Sequence, residues 1–271
     1  MTTLTYRDNV TFANPLPVAL SPSRLADFQS CPRRFQHGAV DRITQPATYA
    51  TAKGNLLHHV FEHLFLRPPA ERTLDTARAL VAEAESVVLT ATVRDEIGLT
   101  DTTLATLRRE CEAVLVRYFT MEDPSTIVTE GVELRILQAF DGTPVVGILD
   151  RLDRAADGSL TIIDYKTGKL PNRNYDTQTF ANADLYAALC ESELGERPTT
   201  IKLLYVTHGE TIERTVTEPV LKARRAAASA AWARITEYYE RGNFPATPSK
   251  SACRFCSFKD TCVTNGVAVV R

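Results

Sequence analysis

The sequence predicts a mixed α/β protein: a central mixed β-sheet flanked by helices, with a helical N-terminal part and a C-terminal region rich in cysteine. Three observations carry this. The hydrophobic patterns run in the order helices, three strands, helix, two strands, helix. Two apolar runs that end in charge, Val145–Leu149 and Leu160–Ile163, flank Ala156-Asp157-Gly158-Ser159, whose Asp-Gly pair is a hairpin signal. Cys253, Cys256 and Cys262 close the chain in a C-x2-C-x5-C pattern.

The elements follow in order. Ser21-Pro22 opens a first helix, with Ser21 as N-cap and Pro22 at the first helical position. A second helix runs from about Ala52 to Leu66 and stops at Pro68-Pro69; Leu56, Leu57, Val60, Phe61, Leu64 and Phe65 recur at helical spacing. Thr73 to about Ile97 and Thr102 to about Met121 give two more, with Asp75 and Asp101 favouring their starts. Thr126 to Ala139 alternates in part, and Asp141-Gly142 turns it back into the strand that ends at Asp150. After the strand containing Asp164, a helix starts at Asp176 or Thr177 and stops at Gly195. Thr199–Thr207 and Glu210–Val216 pair around His208-Gly209, and Glu218-Pro219 opens a long helix to about Arg241.

The 271 residues are 44% hydrophobic and 24% charged, as in a soluble globular protein with an ample core. No apolar stretch approaches the roughly 20 residues that span a bilayer, so no membrane role is expected. No basic region followed by an apolar run opens the chain, so a cytoplasmic location is expected. A single domain over 1–271 is expected, with a helical part (21–121), an α/β core (126–242) and a cysteine tail (243–265). The net charge of −2 says little, but residues 221–271 carry nine Lys/Arg against three acids, a local +6 beside −8 elsewhere. A basic end of this kind suits a phosphate-tracking surface.

The chemistry centres on Gly147-Ile-Leu-Asp150-Arg-Leu-Asp153-Arg154 and Asp164-Tyr165-Lys166-Thr167-Gly168. The hairpin lets Asp150 and Asp164 meet, and the period of two in a strand puts Lys166 on the face of Asp164. Two carboxylates can hold a hard divalent cation such as Mg2+ or Mn2+, and a neighbouring ammonium can orient a water and balance charge on phosphate. Charged strand ends are often merely solvated. Here Asp164 follows two isoleucines at the edge of a buried strand, where an unpaired charge is costly.

Three clustered cysteines leave a four-cysteine site one short. Cys31, in Phe28-Gln-Ser-Cys31-Pro32 where the first helix ends, is the candidate for the fourth. Cys111 and Cys190 fall within apolar helical patterns and read as small core residues. Spacing alone leaves zinc and an iron–sulfur cluster open.

With these residues in place, the chain resembles the RecB-like nucleases of the PD-(D/E)XK superfamily, and within them the stand-alone branch with a four-cysteine iron–sulfur cluster, similar to CRISPR-adaptation exonucleases and AddB-type nuclease domains. The resemblance runs from about Ser21 to Cys262. Gly54-x3-His58-x3-Glu62 looks like the family's G-x3-H-x3-E helix, Gly147-x2-Asp150-Arg-x-Asp153 like its G-x-x-D-R-x-D strand, and Asp164-Tyr-Lys-Thr-Gly168 like its D-Y-K-T-G signature. The resemblance implies a restriction-endonuclease-like core and a metal held by His58, Asp150, Asp164 and the Tyr165 backbone carbonyl. It makes Lys166 the residue that positions the attacking water and Asp153 an ion-pair partner of a nearby arginine. The family's Q-x3-Y helix is matched by Tyr186, with Asn182 in place of the glutamine and Gln178 one turn earlier. It also makes [4Fe-4S] on Cys31, Cys253, Cys256 and Cys262 the preferred cluster, with zinc the alternative.

The expected activity is a metal-dependent DNA exonuclease acting on single-stranded DNA or DNA ends in repair or recombination. Arg33, Arg34, Arg173, Gln178 and Asn182 are candidate DNA contacts. No helicase motif is present, so unwinding would fall to a helicase or other repair partner. The alternative is a catalytically weak DNA-end-binding or docking scaffold stabilised by its cluster.

Overall fold

The computed structural model describes residues 12–171, 179–254, 256–266 and 269. In chain order the helices and strands are α1 (Pro22–Ser30), α2 (Pro32–Phe35), α3 (Tyr49–Phe65), α4 (Leu74–Val88), α5 (Ala91–Glu96), α6 (Asp101–Met121), β1 (Thr129–Phe140), β2 (Thr143–Arg154), β3 (Leu160–Tyr165), α7 (Ala181–Leu194), β4 (Thr200–Tyr205), β5 (Glu210–Thr215), α8 (Glu218–Glu240), α9 (Lys250–Arg254) and α10 (Lys259–Thr264). The strands form one five-stranded sheet in the order β1-β2-β3-β4-β5. β2/β3 and β4/β5 are antiparallel and β3/β4 is parallel. The parallel step is the one that needs a crossover, and α7 supplies it. The mixed sheet flanked by helices is therefore the architecture the sequence predicts.

Four of the helices begin where threonines cap them. The hydroxyls of Thr48, Thr73, Thr90 and Thr100 each accept a hydrogen bond from the backbone N–H three residues on. Thr48/Thr51 and Thr100/Thr103 close reciprocal capping boxes, which start α3 three residues and α6 one residue earlier than the apolar periodicity suggests. The single helix expected over 73–97 is two. Leu89 leaves helical geometry (φ −89°, ψ 62°) and Thr90 caps a new start. The first strand begins at Thr129, because Pro124–Thr126 forms a 3-10 turn whose N–H at Ser125 is taken by Asp123.

The chain divides into two compact units, Pro46–Ile136 with Gly147–Leu221, and Met1–Gln45 with Leu137–Val146 and Lys222–Arg271. In the first, Leu56, Leu57, Val60, Phe61 and Leu64 of α3 pack with Leu80 and Ala84 of α4, Leu107, Leu115 and Tyr118 of α6, and Ile163, Tyr165 and Leu204 of the sheet. Cys111 and Cys190 are fully buried, and burial pushes both thiols up to about 12, so both are inert core residues. Arg151 is buried as well. Its guanidinium donates to Glu122 at 2.6 and 3.1 Å, to Asp153 at 2.9 Å and to the Tyr165 hydroxyl at 2.5 Å, and lies 4.0 Å over the Phe65 ring. Asp153 thus has the arginine partner that the sequence suggests.

In the second unit, Leu20 bridges Val145 in parallel, and Ser21 caps α1. Phe28, Phe35, Tyr238 and Phe244 form an aromatic cluster with centroids 5.8–6.1 Å apart. The segment after α8 is held to α1 and α2 by this cluster, by Arg33 donating to Asn243, and by Thr247 N–H donating to Cys31 Sγ at 3.4 Å. Among the described residues no helix is long and apolar enough to cross a membrane.

Candidate active site

The site is assembled by the β2–β3 ladder. Arg151 pairs with Ile163 and Leu152 with Ile162, a register that, carried on one residue, sets Asp150 opposite Asp164. The Tyr165 N–H donates to Asp150 Oδ2 at 2.7 Å, which fixes that carboxylate across the strands. Asp164 is buried, and its Oδ2 makes a charge contact of 2.5 Å with the Lys166 ammonium but has no aligned hydrogen-bond donor. Strand alternation puts Asp164 and Lys166 on one face and sends the Tyr165 ring to the other, where it stacks on Phe61 at 4.4 Å.

Helix α3 adds His58, whose Nδ1 lies 3.5 Å from Asp150 Oδ1 and whose ring stands edge-on to Tyr165. Two glycines allow the close approaches. A Cβ on Gly54 would sit 3.1 Å from the Thr167 hydroxyl, and one on Gly147 would meet Leu189 at 2.6 Å and Tyr186 at 2.8 Å. Gly147 is thus where α7 presses on β2 and brings Tyr186 in.

The sequence did not single out Glu133. Its carboxylate, with His58 and Asp150, offers ligand atoms all within 4.8 Å of one another. Glu133 has φ +46°, the left-handed region that non-glycine residues rarely adopt. An acid between Val132 and Leu134 in a strand reads as a solvent-facing residue. The backbone twist that redirects it has no residue-type signal, because glutamate is not a residue that favours positive φ.

The electrostatics are those of crowded carboxylates. Glu133 is pushed up to about 7 by burial and by the charges of Asp150 and Glu62, with His58 offsetting part of this. Burial raises Asp164, Lys166 pulls it down, and Asp150 helps leave it above the ordinary range. Burial would lower His58, but the hydrogen bond and charge of Asp150, aided by Asp164 and Glu133, raise it. Lys166 is likewise raised, burial being outweighed by Asp164. Burial and the charges of Asp164, Asp150 and Glu133 raise the Tyr186 phenol. Excess negative charge, a neutral-capable imidazole and a buried carboxylate oxygen without an aligned donor are the donor set of a hard divalent cation, so His58, Glu133, Asp150 and Asp164 fit one.

The other candidates lie elsewhere. Arg173 and Gln178 fall outside the described residues, as does the expected helix start at Asp176 or Thr177. Asn182 is on α7, half-buried. Arg33 donates to Asn243, and Arg34 pairs with Asp27 at 2.7 Å, so both have intramolecular partners. Cys31, Cys253, Cys256 and Cys262 line one small cavity with Arg34, Ala246 and Pro248. Among the described residues no three of the four sulfurs lie within 4.8 Å of one another. Burial raises the Cys31 thiol, but N–H donors from Thr247, Arg34 and Arg33 outweigh it and lower its pKa. Cys262 is raised by burial and by Cys256, Cys31 and Cys253.

The mixed sheet thus carries paired acids and a lysine at the ends of adjacent strands, an arrangement suited to a nuclease core. Comparison agrees: residues 19–263 match the model of the PD-(D/E)XK nuclease superfamily, and the chain belongs to that family. The fold is similar to the crystal structure of a "Putative exonuclease" from Eubacterium rectale, with a TM-score of 0.57 and 14% identity, covering 93% of this chain and 89% of that one. The crystal structure of SSO0001 aligns with a TM-score of 0.38 and 15% identity over 75% of this chain and 84% of that one. No curated protein matches the chain significantly.

Proposed function

We propose that this chain is a RecB-like, Mg2+- or Mn2+-dependent DNA exonuclease, working as one nuclease domain in the cytoplasm on single-stranded DNA or DNA ends during repair or recombination. The observation that carries the reading is the convergence of His58, Glu133 and Asp150 next to the Asp164–Lys166 pair. A divalent ion bound there would lower the pKa of a coordinated water and offset charge on the scissile phosphate. The protein side chains supply the rest. Asp150 is held by the Tyr165 N–H and Asp164 by Lys166, so both carboxylates are oriented before substrate arrives. The Tyr165 carbonyl would offer such an ion a further oxygen. The Lys166 ammonium, raised in pKa and therefore charged at neutral pH, orients the attacking water and balances the charge that grows on phosphate.

The same reading assigns Cys31, Cys253, Cys256 and Cys262 to a [4Fe-4S] cluster that ties the C-terminal segment to the end of α1. Support comes from the shared cavity that the four cysteines line. Arg33, Arg34, Arg173, Gln178 and Asn182 are proposed DNA contacts, and a helicase is the proposed partner for duplex DNA.

The test is degradation of labelled linear and covalently closed circular DNA with Mg2+ or Mn2+. An exonuclease degrades linear DNA and leaves the circle intact. Equal cutting of both forms contradicts an end-dependent enzyme, and cutting of neither favours the scaffold alternative.

A further inference from the structure

Helix α3 carries two more histidines that this chemistry does not use. His59 and His63 are one helical turn apart, and their rings stack with centroids 3.9 Å apart and planes 22° from parallel. Glu83, on α4, faces both. Its Oε1 lies 3.9 Å from His59 Nε2 and 3.8 Å from His63 Nε2. Glu62 stands beside them, with Oε2 3.8 Å from His63 Nδ1, and the ligand atoms of His59, Glu62 and His63 all lie within 4.8 Å of one another.

Where the protons sit decides what this cluster is for. His63 Nδ1 lies 3.0 Å from the His59 carbonyl oxygen. A carbonyl only accepts, so Nδ1 carries the proton and the Nε2 of neutral His63 presents a lone pair. His59 Nε2 is buried and has no hydrogen-bond partner. The Glu83 oxygen opposite both nitrogens is also an acceptor, and 3.8–3.9 Å is too long for a hydrogen bond. The Nε2 atoms of both histidines thus approach one carboxylate oxygen, which can accept but not donate. Four-coordinate zinc, with bonds of about 2.0–2.1 Å to imidazole and carboxylate, sets its ligand atoms about 3.3–3.4 Å apart. The two Nε2–Oε1 separations exceed that spacing by about 0.5 Å each. A backbone carbonyl on the other ring nitrogen is the usual outer support of a metal-bound histidine. Two imidazoles select zinc, cobalt or nickel over magnesium, which prefers oxygen and water.

We propose that His59, His63 and Glu83 form a second metal site, for Zn2+ or a similar transition-metal ion, that ties α3 to α4 and leaves a fourth position for water. It is separate from the nuclease carboxylates and uses none of their ligands.

Calorimetric titration of the purified chain with Zn2+ in excess Mg2+ tests this, alongside thermal unfolding with and without Zn2+. The comparison is with His63→Gln and Glu83→Gln, both at partly exposed positions. The parent should take up one more equivalent of Zn2+ than His63→Gln, and Glu83→Gln should weaken that equivalent at least about tenfold. Zn2+ should raise the Tm of the parent by more than that of either variant. Equal stoichiometry and affinity in all three proteins would overturn the proposal. If His63→Gln does not fold, unchanged zinc affinity in Glu83→Gln overturns it alone.

Discussion

Replacing Glu133 by glutamine should make the metal-free protein more stable and its metal binding weaker. The carboxyl is raised from the ordinary 4.5 to about 7, first by burial and then by Asp150 and Glu62. The folded chain therefore holds this proton more tightly than the unfolded chain, and stability falls as pH rises from 4.5 to about 7 and then levels off. At about 1.4 kcal/mol per tenfold change in proton affinity, the upper bound of the loss is about 3.4 kcal/mol. The side chain is half-exposed, so screening reduces it to about 1–2 kcal/mol. Urea unfolding without added divalent metal should therefore find Glu133→Gln about 1–2 kcal/mol more stable than the parent at pH 8, and within a few tenths at pH 5. Calorimetry at pH 8 should find Mn2+ bound at least about tenfold more weakly by the variant. A variant no more stable at pH 8 than the parent, with the same Mn2+ affinity, would refute the reasoning.

Three further outcomes follow from other parts of the structure. Arg151→Met leaves Glu122 and Asp153 without their buried partner, and should cost about 3–5 kcal/mol in urea unfolding. Gly147→Ala drives a methyl into Leu189 and Tyr186, and should cost about 1–3 kcal/mol and lower kcat by moving Tyr186 from the carboxylates. Freshly purified parent should be brown and contain about four irons per chain; Cys31→Ser and Cys256→Ser should be pale with less iron, and a colourless, zinc-loaded parent would contradict the cluster assignment.

The fold was legible because its signals are local. Apolar periodicity marked α3 and α6, and the Asp157-Gly158 turn fixed the β2–β3 hairpin, with a register that follows from its length. The boundaries were less legible, since Thr48, Thr90 and Thr100 set them by capping, and a threonine gives no sign of whether its hydroxyl caps or faces solvent. The Asp150–Asp164–Lys166 grouping could be read because strand alternation and one hairpin suffice to build it. Glu133 could not, because it depends on a left-handed backbone angle. Arg151 could not, because its partner Glu122 lies 29 residues away and only the tertiary fold brings it near. The cysteines could be grouped by spacing, but spacing says nothing of how far apart the sulfurs stand.

The most direct test of the central claim is single-turnover cleavage of end-labelled linear DNA with Mn2+ by the parent, Asp164→Ala and Lys166→Ala, with circular dichroism to check folding. Both variants should keep their fold and lose at least about a hundredfold in rate. Folded variants that cut as fast as the parent would contradict the assignment of this carboxylate–lysine pair to phosphodiester hydrolysis.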